Sequence, residues 1–187
     1  PVNLKPPFDI TRASHVVLSS KDLDKTRYFY ETAIGLEVTY QDSENLHLRA
    51  LEETHHHSLV FKKSSEPAKC IRMGYRMFTD NDLSIAYDYF NTNGLIATFE
   101  EQPFQGRTLH VSDPLGVPLE FCAEMDQRPS LMQTFHKHHG ASPASFDHVQ
   151  IATHDVDIAL KWYGGLGFRL TEYTADDDSD EIWAIWL

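Results

Sequence analysis

A chain of 187 residues, 41% apolar and 24% charged, is ordinary globular material for one or two compact domains. Its formal net charge of −12 argues against a nucleic-acid backbone or an anionic membrane as partner, while leaving room for an anionic small molecule in a locally basic pocket. No run is long enough to cross a bilayer. Cys70 and Cys122 lie in apolar stretches without redox or zinc spacing, so both are expected as buried free thiols of a cytoplasmic protein.

The opening PVNLKPPFDI has no apolar core of the secretory kind and reads as a Pro-rich lead-in after loss of an initiator Met. From Ser14, SHVVLSS alternates as a strand and ends in a polar turn. Asp22 is placed to cap a helix, which brings Phe29 and Tyr30 onto a sheet and stops near Gly35. A strand begins there, and NLHLRAL and HSLVFKK supply two more, completing a β-α-β-β-β unit. A second unit follows. IRMGYRMF reads as a strand. NDLSIAYDYFNTNG reads as a helix with Leu83, Ala86, Tyr87 and Phe90 at helical spacing and a stop at Asn93-Gly94. ATFEEQ, RTLHVSD and VPLEFCAE are three more strands, with a tight DPLG turn between the last two. The two units form one module over 13–125. Residues 126–145 read as a linker with a short helical piece.

The chain then repeats itself. His15-Val16, Asp22, Asp24 and Phe29-Tyr30 recur 133 residues later as His148-Val149, Asp155, Asp157 and Trp162-Tyr163. After one deleted residue, Gly35-Leu36 falls on Gly167-Phe168. A second module therefore begins near 146, and SFDHVQIATH is expected as its first strand, with Phe146, His148, Gln150 and Ala152 on one face. A histidine there reads either as a hydrogen-bonded core residue or as a metal ligand. The closing WAIWL falls where HLRAL falls in the first module, so the counterpart of 52–125 is missing. A sheet halted there would leave a long unpaired edge, and the expectation is a piece of a longer protein. The expected fold class is α+β: paired β-α-β-β-β modules, the second, 146–187, incomplete.

LHLRALEETHHHSLVFK, DPLGVPLEFCAE, FDHVQI and GFRLTEYTADDDSDEIWAIWL together resemble the vicinal oxygen chelate superfamily. Within it they resemble the type I extradiol ring-cleaving dioxygenases, nearest the homoprotocatechuate (3,4-dihydroxyphenylacetate) 2,3-dioxygenase group. The resemblance runs from about residue 12 to the end. It implies ring opening of a catechol by dioxygen beside the two hydroxyls, at an Fe(II) or Mn(II) ion held by two histidines and one glutamate of the second module. It places the first ligand on His148 and the other two beyond residue 187. It gives Gln150 a part in handling oxygen or substrate, where related enzymes carry Asn, and puts Trp186 in the wall of the substrate pocket. It also implies a homo-oligomer, a tetramer. The fold alone leaves two other readings open: a glyoxalase- or thiol-transferase-like enzyme, and a non-catalytic small-molecule binder.

Other clusters are expected to be structural. His15 and Glu120 imitate two ligands in the first module, but the middle position falls near Gly74, so two ligands make a poor metal site. His55, His56 and His57, read as consecutive strand residues, should point to alternate faces and fail to converge on one ion. His136, His138 and His139 are expected in solvent or at a subunit contact. The acidic run 176–181 lacks the glycine and spaced glutamate of a calcium loop and is expected as a solvated hairpin tip.

Overall fold

The computed structural model describes residues 3–179 and 181–187. Pro1 and Val2 of the lead-in and Asp180 of the acidic run lie outside the described residues. The fold class is α+β. Strand β1 (Ile10–Ser20) leads into helix α1 (Leu23–Arg27), which runs on as a π-helix over Tyr28–Ile34. β2 (Glu37–Gln41), β3 (Asn45–Arg49) and β4 (Leu59–Lys63) complete the first unit. The second comprises β5 (Cys70–Met77), α2 (Asp80–Thr92), β6 (Thr98–Gln102), β7 (Gly106–Ser112) and β8 (Pro118–Cys122).

All eight strands form one sheet of order β2-β3-β4-β1-β5-β8-β7-β6. The order is symmetric about the β1–β5 pair: β1 runs parallel to β4, β5 runs parallel to β8, and β1 meets β5 antiparallel. Period-two alternation sorts the two faces. Leu46, Leu48 and Phe61 turn toward α1 in one core, together with Leu23 and Leu36. Met73, Tyr75, Leu109, Leu119 and Phe121 turn toward Leu83, Ala86 and Phe90 of α2 in the other. Each such fully buried side chain contributes about 1.5–3 kcal/mol over exposure. The opposite, concave face receives the polar half of the alternation: His15, His47, His110 and Glu120. α2 starts at a capping box in which Thr79 and Asp82 each accept from the other's main-chain N–H.

The duplicated elements reappear in the second copy as α3 (Val156–Gly165) and a hairpin of β9 (Glu172–Ala175) and β10 (Ile182–Trp186). Asp22 accepts from Lys25 N–H and Asp155 from Ile158 N–H, the same cap in both copies. The one-residue difference between the copies falls on the π-helix. The Tyr30 carbonyl accepts from Leu36 N–H, six residues on, and the Tyr163 carbonyl from Phe168 N–H, five residues on. The wider turn absorbs the extra residue, so the glycine turn and hairpin beyond it keep their places. Gly35 and Gly167 then take φ of 89° and 98°, a left-handed conformation that favours glycine.

Three expectations are corrected here. Residues 146–154 form no strand. β1 is held on both sides, by β4 and β5, whereas among the described residues no strand pairs with 146–154. Cys70 is exposed at the start of β5; only Cys122 is buried, and both are free. The linker histidines are not simply solvated: His139 Nε2 lies 2.7 Å from the Glu31 carbonyl, and His138 Nε2 lies 2.8 Å from that of Leu131. The helical piece in that segment is a single 3-10 turn, Phe135–Lys137.

Among the described residues, no helix is long and apolar enough to cross a membrane.

Candidate functional site

β1, β5 and β8 lie side by side, and their register places His15 opposite Gly74 and Gly74 opposite Glu120. His15 Nε2 lies 2.5 Å from Glu120 Oε1, and His15 Nδ1 lies 3.0 Å from Ser14 Oγ. The ring occupies the space a side chain at position 74 would need: a Cβ there would stand 2.2 Å from His15 Cε1. The first module thus closes its three-strand row with a buried His15–Glu120 contact, and the glycine makes room for the imidazole over the middle strand. Gln105 Nε2 donates to Glu120 Oε1 at 3.0 Å, and Arg72 Nε stands 3.8 Å from Oε2. Burial alone would raise the Glu120 carboxyl; the facing His110 and His15 imidazoles and the Gln105 amide outweigh it and hold it well below the ordinary carboxylate range. His110 is 3.5 Å from Glu120 and from Glu100, long for hydrogen bonds, and both its buried ring nitrogens make no hydrogen bond among the described residues.

A cavity of about 240 Å³ opens on this concave face, lined by Val17, Val60, His47, His57, Gln105 and Glu120 among others. Beside it the alternate-face expectation for His55–His57 fails. The chain between β3 and β4 is an irregular loop, with His55 in a single bridge to Gln127, so neighbours can aim at one point. His55 turns toward Arg12 Nη2, 3.2 Å away. His56 and His57 converge with His47, which the sequence reading passed over, and one ligating nitrogen from each lies within 4.8 Å of the other two. The alternation of NLHLR was the available signal, since it puts His47 on the face opposite Leu46 and Leu48. Burial depresses His47 and His56 to about 4 and His57 well below its ordinary value, so all three are neutral at pH 7.

The second-module residues stand apart. His148 has a side chain 76% exposed, with Nδ1 2.6 Å from Asp147 Oδ2. Gln150 is exposed, and Trp186 on β10 is 49% exposed. Among the described residues no hydrogen bond links these three. One geometric echo ties the two copies: in each, the residue just before the histidine engages Nδ1, Ser14 for His15 and Asp147 for His148. With Nδ1–H donated to Asp147, the Nε2 lone pair of His148 is left for a metal, the arrangement in which a carboxylate orients a ligating imidazole. An imidazole so held could offer one nitrogen to a metal that takes histidine and carboxylate ligands. The acidic run behaves as expected where described, with Asp176 accepting from Asp178 and Ser179 N–H at the hairpin tip.

α3 packs on the first module. Tyr163 donates its hydroxyl to Asp113 Oδ2 at 3.1 Å, Trp162 stacks on Phe90, and Leu166 joins the core under α2.

A family model described as Glyoxalase/Bleomycin resistance protein/Dioxygenase superfamily matches residues 12–121. The chain is 22% identical over 177 residues to a manganese-dependent 2,3-dihydroxybiphenyl 1,2-dioxygenase of Geobacillus genomosp. 3, covering 88% of this chain and 56% of that protein. It is 25% identical over 194 aligned residues to a metapyrocatechase of Geobacillus stearothermophilus, covering 98% of this chain and 58% of that one. A solved variant of homoprotocatechuate 2,3-dioxygenase from B. fuscum superposes with a TM-score of 0.92 at 33% identity, over 100% of this chain and 52% of that one. The anaerobic complex of the Brevibacterium fuscum enzyme with 3,4-dihydroxyphenylacetate gives 0.91 at 33%, over 100% and 59%. The chain spans little more than half the length of the relatives it matches.

Proposed function

The chain belongs to the glyoxalase/bleomycin resistance protein/dioxygenase superfamily, and from that premise we propose that the whole protein opens a catechol ring with dioxygen beside its two hydroxyls. The observation that carries this is the match of the entire chain, at 33% identity, to a homoprotocatechuate 2,3-dioxygenase solved with 3,4-dihydroxyphenylacetate. Residues 13–125 are a supporting module, 126–145 a linker, and 146 onward the start of the metal-binding module. His148 would supply one imidazole to Fe(II) or Mn(II), through Nε2, with Asp147 holding its other nitrogen. Bound there, the metal would supply a Lewis-acidic, redox-active centre that brings catechol and dioxygen together. Gln150 is assigned to the oxygen or substrate side, and Trp186 offers a flat wall for an aromatic ring. We place the protein in the cytoplasm as a homo-oligomer, a tetramer.

The substrate assigned is a catechol with an acidic side chain, 3,4-dihydroxyphenylacetate. The test is the yellow ring-fission product under air with added Fe(II) or Mn(II), using the full-length protein. A preference for 3,4-dihydroxyphenylacetate over catechol of tenfold or more in kcat/KM is expected, about 1.4 kcal/mol. Equal rates, or preference for a biphenyl diol, would overturn the substrate assignment. In His148→Ala both bound Fe(II) or Mn(II) and ring cleavage should vanish; full occupancy by either of these two ions would remove His148 from the ligand set.

A further inference from the structure

We propose that His47, His56 and His57 form a second metal site, in the first module, that takes an imidazole-seeking divalent ion of the Zn²⁺ type. Three observations carry it. Two of the three nitrogen separations suit one ion, His57 Nδ1 lying 3.0 Å from His56 Nδ1 and 3.3 Å from His47 Nδ1, and one nitrogen of each ring lies within 4.8 Å of the other two. Zinc–nitrogen bonds of 2.0–2.1 Å at tetrahedral angles put ligand nitrogens about 3.3 Å apart.

The tautomer of His57 is fixed for ligation. Gln105 uses its amide NH₂ on Thr108 Oγ1 and Glu120 Oε1, so its Oε1 accepts from His57 Nε2–H at 3.0 Å. His57 Nδ1 is then a bare lone pair facing the other two rings. Behind it stands a carboxylate, reached through one amide, which is the outer-shell support that ligating histidines show.

Without an ion the cluster is poorly satisfied. A single lone pair on His57 faces two neighbouring nitrogens and can accept well from only one. His56 is fully buried with Nε2 unpartnered, so whichever nitrogen carries its proton, one polar atom is left unpaired. An ion between the rings takes the three inward lone pairs at once; His56 Nε2 keeps its burial either way. Phe104 stacks on His56 at 3.9 Å and 6°, fixing that ring.

The donor set selects the ion. It holds no carboxylate oxygen, and the surrounding charge is mixed, with Lys62 near His47 and Arg49 and Arg128 near His56 against Asp42 and Asp126. Mg²⁺ and Ca²⁺ are therefore disfavoured, and neutral imidazoles suit Zn²⁺. His47 and His57 line the 240 Å³ cavity, so a water from that side can fill the fourth position.

Co²⁺ is the probe, added to the chelator-stripped full-length protein carrying His148→Ala to weaken the other centre. One equivalent per chain should bind with the intense visible bands of a tetrahedral cobalt–imidazole centre, and Zn²⁺ should displace it. His57→Gln should weaken binding at least a hundredfold and abolish the bands. Weak octahedral absorption only, as exposed imidazoles give, overturns the proposal; so do intact bands in a folded His57→Gln protein. Should that variant fail to fold, His47→Gln, at the cavity wall, serves in its place. Should both fail, the parent spectrum decides: bands with a zinc-dependent rise in Tm uphold the site, and their absence overturns it.

Discussion

Residues 14–51 and 147–187 are two copies of one design in different company. Both have an Asp N-cap, an aromatic pair meeting edge to face, a left-handed glycine and a two-stranded hairpin. They part at the first strand: β1 is paired on both sides, while 146–154 is irregular. Caps, helical turns and hairpins close within a few residues and form wherever their sequence stands. A central strand is made by its neighbours, however well it alternates. The helices also seat differently. Tyr30 packs on Phe61 of its own sheet, while α3 lies on the α2 side of the first module.

The largest expected contrast is between the matched histidines. His15→Ala removes the imidazole from buried Glu120, which keeps the Gln105 amide, and should cost about 1.5–3 kcal/mol of unfolding free energy in denaturant titration. His148→Ala, on an exposed ring, should change stability by less than about 0.5 kcal/mol. Similar losses in both would mean the second copy is packed as tightly as the first.

Acid should separate the copies next. In the metal-free protein His47, His55 and His56 are held to about 4, and His57 well below its ordinary value, chiefly by burial. The unfolded chain binds protons near 6.5, so it holds more of them between pH 6.5 and 4. Stability is therefore full above 6.5 and falls as pH drops, by at most about 1.4 kcal/mol per pH unit per histidine. Glu120, depressed when folded, adds to the loss below pH 4.5. Tm measured from pH 8 to 4 should be flat and then fall, and hydrogen exchange should show the loss in the eight-stranded sheet. A flat profile through pH 5 would contradict the burial of these rings.

The aromatic pairs give a smaller test. Tyr163→Phe removes a buried hydroxyl bond to Asp113 and should cost about 1–2 kcal/mol. Tyr30, whose hydroxyl makes no hydrogen bond among the described residues, should tolerate the same change with almost no shift in Tm. Smallest is Gly164→Ala on α3. A Cβ there meets nothing within 4 Å, and the substitution should stabilise by about 0.5–1 kcal/mol on thermal unfolding.

Most of the fold could be read from the sequence because its signals are local or repeated. The caps, the DPLG turn and the 133-residue offset each have a short-range cause. The strand expected at 146–152 failed because pairing is not a local property. The His47–His56–His57 cluster escaped because a strand rule was applied to an irregular loop, and because its third member comes from the neighbouring strand. Cys70 was misplaced because an apolar stretch says nothing about which end of a strand meets solvent.

The glycine at position 74 also bears on how such a chain can change over generations. A ligand could be added at the middle of the first-module row only by placing a side chain where the His15 ring lies. No single substitution does this without dislodging the ring from Glu120, so each such variant should itself be less stable than the parent. With the His15 ring in that space, sterics oppose a third donor in the first-module row, whatever happens at the matching positions of the second copy.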